Sequence, residues 1–282
     1  MIGKTRPAST VILQPARGVL NQRLNGPQFT HTREAPSVQL APWVEHYWHV
    51  SWNLSDQPAQ QQETLPHPNV HLVVERGQVH VWGPRRSRFS KTLSGNSWAF
   101  GIKFRPAAFR PFLGGPVSRL TNRSIPAAEV FGAVVDRLAE HTECPGMASL
   151  CEQSEALLSP CLPQPDERVQ LLNDLIAQIA SDNRLTTVAQ LSELSRVSER
   201  QLQRLFAHYV GVSPKWVIAR YRLHEALTLL QSGEARPGTD LALKLGYFDQ
   251  AHFIRDFTRM VGLAPAKYVQ TYTALLQNAD AG

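Results

Sequence analysis

The chain has 282 residues, of which 43% are hydrophobic and 18% charged. That is enough apolar material for two ordinary domains and too little charge for a disordered chain. No stretch approaches the roughly 20 apolar residues that span a bilayer, and the opening MIGKTRPAST is not followed by the apolar run of a signal peptide, so a soluble, cytoplasmic protein without a membrane partner is expected. The formal net charge of +6 favours an anionic partner such as nucleic acid.

Residues 37 to 125 carry short alternating runs rich in aromatic and β-branched residues, among them His46–Trp52, Asn69–Val74 and Gln78–Trp82. These patterns predict strands. Turn-forming pairs (Arg76-Gly77, Gly83-Pro84, Ser94-Gly95, Gly114-Gly115-Pro116) separate them, which favours an antiparallel sheet or small barrel over βαβ units. From residue 126 to 159 the pattern turns helical, with Val130, Phe131, Val134, Val135 and Leu138 at helical spacing. The Pro- and Ser-rich segment that follows, Leu158–Pro165, marks the domain boundary.

The first half therefore reads as a β-rich unit with trailing helices over 1–160, a linker over 161–165, and an all-α unit over 166–282. The fold class is α+β. Three cysteines, Cys144, Cys151 and Cys161, are odd in number and lack paired C-x-x-C spacing, so they read as reduced thiols. The group His67, His71 and Glu75, with His80 nearby, invites a metal reading. Residues four apart on an extended strand lie about 13 Å apart, too far for one ion, so ordinary hydrogen-bonded histidines are expected and no metal or other cofactor is assigned. Trp43, Tyr47, Trp48, Trp52, Trp82 and Trp98 read as β-domain core; Trp48, Trp52, Trp82 and Trp98 are the candidates for a small-molecule effector pocket sharing that core. Lys103, Arg105 and Arg110 could clamp an anionic effector, with solvated surface charge as the plainer reading.

Sliding the C-terminal half against itself by 51 residues superposes Leu194 on Leu245, Ser198 on Asp249, Leu202 on Phe253, Arg204 on Arg255 and Phe206 on Phe257. Further along, Val210 meets Val261, Gly211 meets Gly262 and Pro214 meets Pro265. Each copy thus contains an apolar helix, a break, an N-capping side chain, an amphipathic helix and a terminating glycine, the layout of a helix-turn-helix. Between the copies, Pro214 to about Ser232 predicts one long helix. In the first copy Leu202, Leu205, Phe206 and Tyr209 form the inner face, leaving Glu199, Arg200, Gln203, Arg204 and His208 outward. Arginine and glutamine suit the guanine and adenine edges of the major groove. In the second copy Phe253, Phe257 and Met260 point inward, with Gln250, Ala251, Ile254, Arg255 and Arg259 outward. A basic patch is expected from Arg196, Arg200, Arg204, Lys215, Arg220 and Arg222, a stretch whose single acid is Glu199.

The segment Gly246–Phe257 (GYFDQAHFIRDF), followed by Gly262-Leu-Ala-Pro265 and Tyr268, resembles the signature of the AraC/XylS family of regulators, with the resemblance covering about residues 166 to 273. It implies that the first recognition helix meets bases through Arg200, Gln203 and Arg204, with Ser198 at its start, and that Gln250, Ala251, His252 and Arg255 of the second lie at the DNA. Ala251 departs from the polar residue often found there, which weakens base reading by the second unit and leaves Arg255 to serve phosphate or sequence. Trp98–Gly114 (WAFGIKFRPAAFRPFLG), with Pro66–Leu72 before it, resembles the N-terminal domain of a subset of these regulators, where such domains bind effectors or form dimers. The resemblance implies promoter DNA and RNA polymerase as partners, with an unidentified effector and a homodimer as further possibilities. The rival from the enzyme class, a DNA-repair alkyltransferase fused to the same DNA-binding unit, needs a reactive cysteine in an electropositive site. With the cysteines clustered around the linker, no catalytic residue is assigned.

Overall fold

The computed structural model describes residues 11, 12, 20, 28–141 and 144–280; the opening segment MIGKTRPAST lies outside them. Among the described residues the first half has eight strands: β1 (Phe29–Glu34), β2 (Val44–Leu54), β3 (Gln60–Thr64), β4 (His71–Glu75), β5 (Gln78–Trp82), β6 (Phe89–Leu93), β7 (Gly95–Phe104) and β8 (Ser124–Pro126). Six form one sheet in the order β1-β2-β7-β4-β5-β8, and β3 pairs with β6 in a separate ribbon. Every pairing is antiparallel. Arg76 and Gly77 both take positive φ between β4 and β5, the conformation a tight hairpin turn requires.

Side chains alternate across a sheet, so the register sorts them into two faces. Tyr47 opposes Ile102, which opposes Leu72, which opposes Val81; all four are buried on one face. Helix α3 (Met147–Leu158), which follows the one-turn helices α1 (Arg110–Leu113) and α2 (Ala128–Phe131), lies over this face, with Tyr47 Oη donating to Glu155 Oε1 at 3.0 Å. Trp48 opposes Gly101, which opposes Val73, which opposes His80, on the other face. The β3–β6 ribbon covers that face, through a cluster of Trp52, Leu54, Leu93 and Ala99 and an edge-on contact of Trp82 with Phe89.

The predicted helical stretch after residue 126 is broken. Helix α2 (Ala128–Phe131) stops at Gly132, whose φ of 74° and ψ of 172° leave the helical region, and a 3-10 segment over Ala133–Ala139 carries Val135 and Leu138 into the core. A glycine at that point resets the backbone at little steric cost, so the apolar spacing survives without one continuous helix.

The second half comprises α4 (Glu167–Ser181), α5 (Val188–Ser195), α6 (Glu199–Leu205), α7 (Pro214–Gln231), α8 (Thr239–Lys244), α9 (Gln250–Val261) and α10 (Pro265–Asp280). One apolar core runs from Tyr47, Phe100 and Phe104 of the sheet through α4 and α5 to Leu202, Phe206 and Val217. A second core joins Leu223, Leu227 and Leu230 of α7 to Phe253, Phe257 and Tyr268. Helix α7 therefore contributes to both, with Val217 and Ile218 in one and Ala219 onward in the other.

Candidate nucleic-acid interface

The two helix-turn-helix units are α5–α6 and α8–α9. In each, the second helix opens on the predicted cap: Ser198 Oγ accepts from the Gln201 amide and Asp249 Oδ1 from the His252 amide. Each such bond satisfies one of the donors left over at a helix start. Both helical stretches end at repeat-equivalent glycines with left-handed backbone, Gly211 at φ 85° and Gly262 at φ 86°. The first unit departs from the second beyond Leu205, where residues Phe206–Val210 widen into a π-helical turn closed by the Gly211 amide on Phe206 O at 2.8 Å.

On the first recognition helix the inner residues Leu202, Phe206 and Tyr209 are buried and Leu205 is half-buried. Ser198, Arg200, Gln203 and Arg204 are all exposed, so three side chains with base-reading geometry stand together on the open face. On the second, Phe253, Phe257 and Met260 are buried as expected, and Ala251 and Arg255 are exposed. Gln250 and His252 are half-buried: Gln250 Oε1 accepts from Thr239 Oγ1 at 3.1 Å, and His252 packs edge-on against Tyr247 while facing Asp256 at 3.5 Å.

The basic patch is smaller than the sequence count. Arg196, Arg200, Arg204 and Lys215 are exposed, but Arg220 is 3% exposed and Arg222 lies with its guanidinium 3.8 Å from the centre of the Tyr247 ring. Arg220 Nε donates to Pro66 O at 3.1 Å and its Nη2 meets His67 Nδ1 at 2.9 Å. Burial first, then the Arg220 charge, holds His67 well below the usual imidazole range, so a neutral ring offers Nδ1 as acceptor. Arg220 thus belongs to the join between the halves, and Arg222, which also donates Nε to Leu245 O at 2.6 Å, to the packing of α7 on the second unit.

A further contact had no warning in the sequence. The segment between β5 and β6 touches both units: a Cβ added at Gly211 would lie 2.9 Å from Pro84 Cγ, Trp216 Nε1 of α7 donates to Arg86 O at 3.4 Å, and a Cβ added at Gly262 would lie 2.5 Å from Arg88 Nε. Residues 120–123 brace it, with Asn122 donating its amide to Pro84 O and accepting from the Arg86 amide. Next to it, Arg110 lies over the Tyr209 ring and Thr121 Oγ1 donates to Gly211 O at 2.6 Å.

Of the four candidate pocket tryptophans, Trp48, Trp52 and Trp82 share the ribbon-covered face. Trp98 opposes Ser51 and so lies on the opposite face, where it stacks on His49. Trp48 crosses Gly101, where any Cβ would sit 2.1 Å from its indole, and donates Nε1 to His71 Nδ1 at 3.3 Å. Burial pushes His71 down to about 3 and His46 to about 4. Lys103, Arg105 and Arg110 are half-buried, each with a partner within the chain, rather than solvated charge: Lys103 pairs with Glu45 at 2.8 Å, Arg105 Nε donates to Ala41 O, and Arg110 lies on Tyr209. Glu75 pairs with Lys91, and among the described residues no three His, Cys, Asp or Glu side chains are placed to hold a metal. No helix among them is long and apolar enough to cross a membrane.

Residues 191–271 match a family described as a helix-turn-helix domain, and residues 32–126 match one described as a domain of unknown function. Among curated proteins, the HTH-type transcriptional regulator YidL of Escherichia coli is 34% identical over 41% of this chain and 36% of its own length. The transcriptional activator RhaR of an Enterobacter strain is 29% identical over 38% of each. The chain thus spans little more than a third of the length of these relatives. Among solved structures, ToxT of Vibrio cholerae aligns with 86% of this chain and 97% of its own at 14% identity and a TM-score of 0.38.

Proposed function

We propose, from the helix-turn-helix match of residues 191–271 and their resemblance to AraC/XylS regulators, that the chain is a sequence-specific DNA-binding transcription regulator. The observation that carries this reading is the repeated, capped helix-turn-helix whose first recognition helix buries Leu202 and Phe206 and presents Arg200, Gln203 and Arg204 to solvent. Residues 166–282 bind promoter DNA and residues 1–160 carry the signal. Trp48 and Trp82, half-buried beneath the β3–β6 ribbon, with Trp52 buried on the same face, mark where a small-molecule effector acts. RNA polymerase and a second copy of the chain are the further partners, in the cytoplasm. Helix α7, 18 residues long, spans about 27 Å, a length that suits two recognition helices on one face of a duplex about one turn apart.

The alkyltransferase alternative asks for an activated thiol. Cys151 is buried, and burial pushes the exposed Cys144 thiol up although His49 Nε2 lies 3.5 Å away, the opposite of what a nucleophile requires.

Gel-shift titration of the full chain on a selected duplex and on its scrambled counterpart tests the reading. Arg200→Ala, Gln203→Ala and Arg204→Ala each cost about 1 to 3 kcal/mol on the selected duplex if the side chain makes a bidentate base contact, and much less on the scrambled one. Equal losses on both would reduce these residues to phosphate contacts, and absence of any preference for the selected duplex would overturn the function.

A further inference from the structure

The two units present different chemistry at equivalent positions. Under the 51-residue shift, Arg200 corresponds to Ala251 and Gln203 to Ile254, so two of the three reading positions change from hydrogen-bonding to apolar, while Arg204 keeps its arginine as Arg255. The residue before each cap changes as well. In the first unit it is Val197, half-buried against the core; in the second it is Phe248, 90% exposed.

A phenyl ring left in water immediately before the Asp249 cap gives the second unit nothing in packing. Asp249 fixes the start of α9, and exposed Ala251 follows within the first turn, with Ile254 half-buried at the edge of the same side and Arg255 exposed beside it. The N-terminal end of a recognition helix is the part that meets base edges, and the apolar feature there is the C5-methyl group of thymine, which phenylalanine and alanine contact.

We infer that the second unit reads thymine methyl groups in the major groove through Phe248, Ala251 and Ile254, with Arg255 on the phosphate backbone. This rests on the DNA-binding function proposed above. The site it implies is bipartite, with one element read by hydrogen bonds from Arg200, Gln203 and Arg204 and a second, thymine-rich element read by apolar contact.

The test starts with in vitro selection of duplexes by the full chain, followed by fluorescence anisotropy on the selected duplex with deoxyuridine replacing thymidine one position at a time. Each methyl removed from the second element should weaken binding about fourfold, the worth of one buried methyl-sized group. Substitution in the first element should change it less than twofold. In Phe248→Ala, whose thermal melt should match the parent because the ring is exposed, at least one uracil position should lose its effect; Phe248→Leu should retain part of it. A chain that selects a sequence yet tolerates uracil throughout overturns the inference and leaves the proposed function standing, as does undiminished uracil sensitivity in Phe248→Ala. A chain that selects no sequence fails at the first step, and the proposed function falls with the inference.

Discussion

Gly211 and Gly262 offer an internal control, because they are repeat-equivalent, share the same left-handed backbone and differ in what lies over them. Alanine at either position forces a side chain into the left-handed region at about 1 to 2 kcal/mol. At Gly262 the three atoms nearest the new Cβ all belong to the Arg88 side chain, which can swing away at the expense of its 2.7 Å bridge to Glu63, worth at most about 1 kcal/mol. At Gly211 it meets Pro84 Cγ at 2.9 Å, Val117 Cγ1 at 3.0 Å and Val117 O at 3.1 Å, a ring, a buried side chain and backbone held within a packed join. Overpacking of that kind costs about 1 to 3 kcal/mol more. Urea unfolding of the full chain should therefore show Gly211→Ala losing about 2 to 5 kcal/mol and Gly262→Ala about 1 to 3, with thermal midpoints ordered the same way at about 2 to 4 °C per kcal/mol. Equal losses, or a larger loss at Gly262, would refute the close packing of the β5–β6 segment on the first unit.

Phe257→Ala should destabilise the second unit by about 3 to 5 kcal/mol, because the ring is fully buried between Phe253 and Tyr268; an unchanged thermal melt would refute that inner face. Asp249→Ala should cost about 1 kcal/mol in the same melt through loss of the α9 cap. Burial lowers both His46 and His71, so the unfolded chain binds more protons than the folded one below pH 6.5. Stability from this pair is complete above pH 6.5 and is lost as pH falls toward 4 and then 3, by roughly 2 to 4 kcal/mol at pH 5. Urea melts at pH 7 and pH 5 measure the loss, and His71→Gln should make it smaller; a slope unaffected by the substitution would exclude this source.

The candidate site was largely legible in the sequence because helix-turn-helix geometry is set by local chemistry. Ser198 and Asp249 cap helices, Gly211 and Gly262 end them, and the spacing of Leu202, Phe206, Phe253 and Phe257 decides which side is left for Arg200, Gln203 and Arg204. The alternation around Tyr47, Leu72 and Val81 likewise fixed strands and their buried face. Such signals need only neighbours within one turn or one pleat. What a surface is pressed against depends on residues far away in the chain, and there the sequence pattern fell short. Arg220 counts as a surface charge until the loop at Pro66 and His67 closes over it, and Arg222 until Tyr247 lies beneath it. Lys103 pairs with Glu45 across adjacent strands, a match that exists only in the folded register. Trp98 separates from Trp48, Trp52 and Trp82 for the same reason: which face a strand residue takes follows from pairing, not from composition. The contact of residues 84–88 with Gly211, Trp216 and Gly262 belongs wholly to tertiary structure, because it joins the connection between the sheet and the ribbon to both copies of a repeat more than 120 residues away.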